Sequence, residues 1–135
     1  SSVYNNSSSY VLTLNYCTVS TDTAQDYAIG TGNYTAFRSQ LMGSSDGARF
    51  DDGNANLIES YIRTKLQSAA DHNDGVQGYR TSSGGSILRC NINVTPVNGD
   101  NSTTTGAIFM ADSSQGTLEV RDKYLIGVGY TLRLH

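Results

Sequence analysis

His72 sits in the stretch AADHNDG, residues 69–75, flanked by Asp71 and Asp74. A histidine beside carboxylates is the material of a general base, and the members of a Ser-His-Asp set need not be neighbours in sequence. The other histidine, His135, is the last residue, and no G-x-S-x-G nucleophile elbow accompanies either. The surroundings of His72 read better as the polar end of a helix, where the helix dipole favours a cation.

The carboxylates suggest two other chemistries. Asp46, Asp51 and Asp52 share the Gly-rich stretch GSSDGARFDDGNA, residues 43–55, and Asp71, Asn73 and Asp74 share the next such cluster. Such oxygens suit a hard cation, but neither stretch has EF-hand spacing, and Asx-Gly clusters ordinarily make turns. No metal and no cofactor are expected. Glu59 and Glu119 are the only glutamates. A glycosidase works with a carboxylate pair. Glu59, however, is accounted for as the partner of Asn56 in a variant capping box, and Glu119 as an exposed strand position. GTG and SSGGS form neither a P-loop nor a dinucleotide fingerprint. A non-enzymatic role is therefore expected, with a small hydrolase built on His72 as a third-ranked reading.

What remains is a recognition surface. Thr13, Asn15, Arg89, Asn91, Asn93, Arg121, Thr131 and Arg133 alternate with apolar residues in their segments. Arginine holds phosphates, while Asn and Thr hydrogen-bond to bases or to sugar hydroxyls. The candidate nucleic-acid or ligand-binding face is Arg89, Asn91, Asn93, Arg121, Thr131 and Arg133. An ordinary solvated sheet face is the alternative.

The elements that would position these residues follow from periodicity. Residues 10–19, YVLTLNYCTV, alternate as a half-buried strand. Tyr34, Phe37, Leu41 and Met42 have helical spacing over 33–42. Leu57, Ile58, Tyr61, Ile62, Leu66 and Ala69 make one apolar stripe, which predicts a helix over 56–70. Strands are expected from residue 87, in ILRCNINV, GAIFMA and TLEV, with Pro96 closing the first. Short connections between them favour antiparallel pairing. The expected fold is α+β: an antiparallel β-sheet with two helices packed on one face. It forms a single domain over 1–135, with a polar arm at 1–9 and no internal repeat.

The closing segment, YLIGVGYTLRLH, places Tyr124, Ile126, Val128, Tyr130, Leu132 and Leu134 on one side. As one strand of twelve residues it would run about 40 Å, the full width of a domain this size. An edge that long invites pairing. Tyr124, Gly127, Gly129, Tyr130, Leu132 and Leu134 are therefore the candidate assembly residues. The two glycines leave room for another backbone or ring.

Composition fits such a role. Nine Tyr, no Trp and a charged fraction of 16% describe a polar, weakly charged chain. Tyrosine suits half-buried contact surfaces. A net charge of −3 provides no bulk attraction to nucleic acid or anionic lipid. No stretch is long and apolar enough for a membrane helix, so no membrane partner is expected. Cys17 and Cys90 fit either a disulfide or two buried thiols. Sequons beginning at Asn5, Asn6, Asn33, Asn93 and Asn101 hint at secretion. Ser1 fits either a cleaved signal peptide or removal of an initiator Met.

In length and element inventory, one sheet plus two helices, the chain resembles a coat protein of a small single-stranded RNA phage. The resemblance implies a homodimer that builds a shell in the virion and contacts RNA through the polar sheet face, with Arg89 and Arg133 foremost. The alternative is an extracellular protein: a secreted adhesin, filament subunit or carbohydrate-binding domain, using the sequons and a Cys17–Cys90 disulfide.

Overall fold

A computed structural model describes residues 2–7, 9–22, 27–65, 73–78, 84–95, 104–111, 116–127 and 129–134. Among these residues every regular element is a strand. In chain order they are β1 (Val3–Tyr4), β2 (Leu12–Asn15), β3 (Thr18–Ser20), β4 (Ile29–Gly30), β5 (Tyr34–Phe37), β6 (Gln40–Gly43), β7 (Ala48–Phe50) and β8 (Asn54–Ile58). There follow β9 (Tyr61–Thr64), β10 (Asn73–Gly78), β11 (Gly84–Leu88), β12 (Asn91–Asn93), β13 (Thr104–Met110), β14 (Leu118–Arg121), β15 (Tyr124–Ile126) and β16 (Tyr130–Leu134).

Each strand pairs with the third one after it, and every pairing is parallel. Three sheets result. Sheet A runs β1-β4-β7-β10-β13-β16, sheet B β2-β5-β8-β11-β14, and sheet C β3-β6-β9-β12-β15. The chain therefore winds as a parallel β-solenoid, one strand per sheet per coil. This overturns the expected antiparallel sheet covered by two helices. The inventory on which the coat-protein resemblance rested, one sheet plus two helices, is not the one found. No helix long and apolar enough to cross a membrane occurs among the described residues.

An internal repeat, absent from the sequence-based expectation, is visible in the register. Leu12, Tyr34, Ala55, Gly85 and Leu118 occupy one position in successive coils. Val19, Leu41, Ile62, Ile92 and Leu125 occupy another. Parallel sheets need both faces managed, and here the inner faces of all three sheets close on a single core. Ile29, Ala48, Val76 and Ile108 fill it from sheet A, Ala36, Leu57 and Ile87 from sheet B, and Leu41, Ile62 and Ile92 from sheet C, all with 0% exposure. Burying each such aliphatic side chain stabilises the fold by roughly 1.5–3 kcal/mol. Tyr34 packs edge-on to Phe50, and its hydroxyl donates to the Arg49 carbonyl at 2.9 Å, so its one polar atom is satisfied inside.

The two expected helices are pairs of strands. Residues 33–42 hold β5 and β6, and the described part of 56–70 holds β8 and β9. Leu66 and Ala69 lie outside the described residues. Within 54–64 the inward residues are Ala55, Leu57, Ser60, Ile62 and Thr64. A single turn residue, Glu59, breaks the alternation and produces the spacing i, i+2, i+5, i+7. That spacing imitates a helical stripe. The variant capping box dissolves accordingly: Asn56 lies on sheet B and accepts from Ser86 Oγ at 2.8 Å. The closing segment is broken too. Tyr124–Ile126 belongs to sheet C and Tyr130–Leu134 to sheet A, with Gly127 and Gly129 in the connection between them.

Candidate ligand-binding face

One corner of the coil decides what the surface presents. Between sheets B and C the chain passes through Tyr16, Arg38, Glu59, Arg89 and Asp122 in successive coils, with φ of 55°, 46°, 49°, 53° and 50°. Left-handed backbone costs a non-glycine residue roughly 1–2 kcal/mol. Here the coils stack it against itself. The N–H of Tyr16 donates to the Phe37 carbonyl at 3.0 Å, that of Arg38 to Ile58 at 2.9 Å, that of Glu59 to Leu88 at 2.9 Å, and that of Arg89 to Arg121 at 2.9 Å.

The next residue in each coil is Cys17, Ser39, Ser60, Cys90 or Lys123. The Ser39 and Ser60 hydroxyls and the Cys17 and Cys90 thiols turn back to the carbonyl two residues earlier, at 3.0, 2.9, 3.3 and 3.4 Å. Small hydrogen-bonding side chains fit this seat, which explains why Ser or Cys occupies it in the first four coils.

This corner resets the alternation, so sheet C turns one set of side chains outward. Gln40, Tyr61, Asn91 and Tyr124 stand in register in one column. Met42, Arg63, Asn93 and Ile126 form the column beside it. Tyr124 is 64% exposed, Asn91 is exposed, and the others are half-buried. Neither column contains a carboxylate. The face is thus uncharged except for Arg63, with rings and amides set one rung apart, about 4.8 Å. Lys65 at its margin is paired with Asp22 and with Ser20 Oγ, the latter at 2.8 Å.

The residues expected to form one polar face are distributed over three. Asn91 and Asn93 lie on sheet C, together with Tyr124 from the assembly set. Arg89 is in the B–C corner and Arg121 ends β14 on sheet B. Arg89 Nη2 lies 2.9 Å from Glu59 Oε1, and Arg121 Nε lies 3.1 Å from Glu119 Oε1. Glu59 also meets Arg38 at 2.6 Å, and these two arginines hold its carboxyl below the usual range. Thr131 and Arg133 lie on sheet A, with Tyr130, Leu132 and Leu134. The Arg133 guanidinium sits 5.0 Å from the ring centroids of both Phe109 and Tyr130. No single arginine-bearing face results.

The candidate catalytic residues are described only in part. His72, Asp71 and His135 lie outside the described residues. Asp51 is half-buried, Asp52 is exposed, and no group of three metal-ligating side chains occurs among the described residues. Asp46 and Asp74, which sequence placed in separate clusters, come together instead. Both have 0% exposure. Asp46 Oδ1 accepts from the Asp74 N–H at 3.1 Å, and Asp46 Oδ2 lies 2.7 Å from Arg49 Nε. Asp74 Oδ1 accepts from the Gly106 N–H at 2.8 Å. Burial, then the neighbouring Asp46 charge, push the Asp74 carboxyl up to about 8. Sealed from solvent, the pair ties three coils together and is not placed to meet a substrate.

Cys17 and Cys90 are free thiols. They occupy one column three coils apart, a separation of about 14 Å, beyond the roughly 7 Å that a disulfide spans.

Sequence reasoning missed Gln40, Tyr61 and Arg63, because it read their segments as helices. The usable signal was the recurring pattern of two alternating apolar positions, a turn residue, a small Ser or Cys, then two more alternating positions. A scan against protein-family models finds no match, and no curated protein or solved structure is significantly similar to the chain.

Proposed function

We propose that the protein is a non-catalytic carbohydrate-binding module, in which a β-solenoid presents the outer face of sheet C to a polysaccharide. The observation that carries this reading is the pair of in-register columns, Gln40–Tyr61–Asn91–Tyr124 and Met42–Arg63–Asn93–Ile126. The C–H face of a pyranose is apolar and weakly positive, and rests on the negative face of an aromatic ring. Its hydroxyls need both donors and acceptors, which Gln, Asn and Arg side chains supply. Solenoids suit polymeric ligands because their binding surface extends by one rung per coil. The columns hold no carboxylate to protonate a glycosidic oxygen or activate water, which favours binding without cleavage. An extracellular setting follows from such a ligand.

The test is co-sedimentation of the intact chain with insoluble polysaccharides, and affinity electrophoresis in soluble ones. Binding is expected for the wild type and loss for Tyr61→Ala/Tyr124→Ala. A variant that binds as well as the wild type sinks the reading.

Self-assembly is a second reading, favoured by one observation. The exposed large apolar residues, Tyr4, Tyr10, Val11, Tyr16, Tyr124, Tyr130, Leu132 and Leu134, all lie in the first three or the last two described strands and the turns beside them. Parallel edges joined head to tail would make a heterologous, open-ended contact. Light scattering across a concentration series decides it: a constant monomer mass removes this reading.

A further inference from the structure

Resting on the carbohydrate-binding reading, we infer that the ligand is an extended, equatorially linked glycan of the β-1,4 type, lying along the solenoid axis with every second sugar stacked on Tyr61 and Tyr124. The register places Tyr61 directly beside Asn91, and Asn91 beside Tyr124. The two rings are therefore two rungs apart, about 9.6 Å.

In a β-1,4-linked chain of equatorial pyranoses, each ring is turned over relative to the one before. The chain is a flat ribbon whose rise per sugar is close to one β-rung, and the same sugar face recurs at every second residue. A pair of rings two rungs apart thus meets equivalent faces of alternate sugars. The intervening sugar lies over Asn91, which is exposed and carries an amide in place of a ring. The ribbon's hydroxyl edge then runs along the second column, where Arg63 and Asn93 stand in register at 63 and 93. Asn93 Oδ1 already accepts from the Thr95 N–H at 2.9 Å, which fixes its amide and leaves the NH2 donors free to turn outward. Arg63 has no carboxylate partner among the described residues; its Nε is buried, so the terminal guanidinium nitrogens are what it offers a sugar hydroxyl.

An α-1,4-linked chain does not match this surface. It winds about its own axis and turns successive sugars away from a flat face. Sheet C pairs without a bulge from Gln40 to Tyr124, with one residue per rung at each position. The four rungs from Gln40 to Tyr124 would hold about four sugars, at one per rung.

The experiment is calorimetric titration of the intact chain with β-1,4-linked gluco-, xylo-, manno- and N-acetylglucosamine oligosaccharides of two to six units, and with α-1,4-linked gluco-oligosaccharides of the same lengths. At least one β-1,4 series is expected to bind, with affinity rising up to about four sugars and then levelling. Tyr124→Ala is expected to weaken that binding about tenfold or more, with Tyr124→Phe restoring it. Tyr124 is exposed, so its substitution leaves the melting temperature unchanged. Equal or tighter binding of the α-1,4 series overturns the inference and leaves the carbohydrate-binding reading standing. Failure to bind any of the oligosaccharides, together with failure on the polysaccharides above, overturns both.

Discussion

The Asp46 carboxylate accepts a hydrogen bond from the backbone N–H of Asp74, one coil further on, and neither residue has any exposed surface. Two acids so placed do not both ionise readily. Asp46 is held by Arg49, and Asp74 takes the proton, its pKa raised to about 8 by burial and then by Asp46. The Arg49 and Arg133 charges and the Gly106 N–H act against that rise without cancelling it. The folded-state pKa exceeds the unfolded one. The associated stability is therefore complete below the unfolded carboxyl value, about 4, and is lost as pH rises through about 8. Urea midpoints measured from pH 5 to 9 are expected to fall with pH. Asp74→Asn keeps the acceptor for Gly106 and removes the titration, so its profile should be flatter, and a gain of at least about 1 kcal/mol over wild type is expected at pH 9. An unchanged slope in the variant assigns the effect elsewhere.

Coil-to-coil packing leaves no space at Gly75. A Cβ there would overlap Ile92 Cγ2 and lie 2.5 Å from the Ala107 carbonyl oxygen. Gly75→Ala is expected to destabilise the fold by about 1–3 kcal/mol through overpacking. Equilibrium urea unfolding reads this directly.

The opposite error is expected from Ile62→Ala. Ile62 has 0% exposure and stacks between Leu41 and Ile92. Removing its side chain opens a cavity shared by three coils, at an expected cost of about 2–5 kcal/mol. Tyr61, on the same strand, faces outward, so residual sugar binding at low temperature separates loss of fold from loss of the face.

The left-handed corner makes a chemical distinction at Asp122, where φ is 50° and the side chain is exposed. Asp122→Val should cost about 1–2 kcal/mol, because a β-branched residue resists that conformation. Asp122→Gly should not destabilise. If both variants melt alike, the corner is not under the constraint described.

Thiol chemistry checks the column assignment. Titration with a thiol reagent should report one thiol in native protein, the half-buried Cys17, and a second, the buried Cys90, only on unfolding. Burial also raises the Cys90 thiol pKa, which keeps it protonated and unreactive. A native count of zero would contradict the three-coil separation.

Much of the local reading was legible without coordinates. The segments 12–15, 87–88 and 118–120 read as strand and are strands, with Arg121 added to the last. The outward placement of Asn91 and Asn93 relative to Ile92 follows from period-2 alternation alone. What misled was the corner residue. Glu59 and Arg38 each interrupt two short strands by one left-handed position, and the combined spacing of apolar residues then passes for 3.6. The repeat escaped notice for a related reason. Equivalent positions such as Leu12, Tyr34, Ala55, Gly85 and Leu118 are about 21 to 33 residues apart, because the connections vary in length while the strands do not. A fixed period is what makes a solenoid readable in sequence.

Sequence by itself determined which side of a short strand is apolar, since that depends on chemistry and on spacing within a few residues; it did not reveal the burial of Asp46 and Asp74. Only the tertiary structure decided which outward side chains share a face. Tyr61, Asn91 and Tyr124 are far apart in the chain and adjacent in sheet C, whereas Arg89 and Asn91 are two residues apart, yet Arg89 sits in the corner and Asn91 on the face of sheet C. Parallel stacking makes neighbours of residues one coil apart, and the turn within each coil separates neighbours in sequence. Surface identity in a solenoid is therefore a property of register, which depends on long-range pairing that no local window contains.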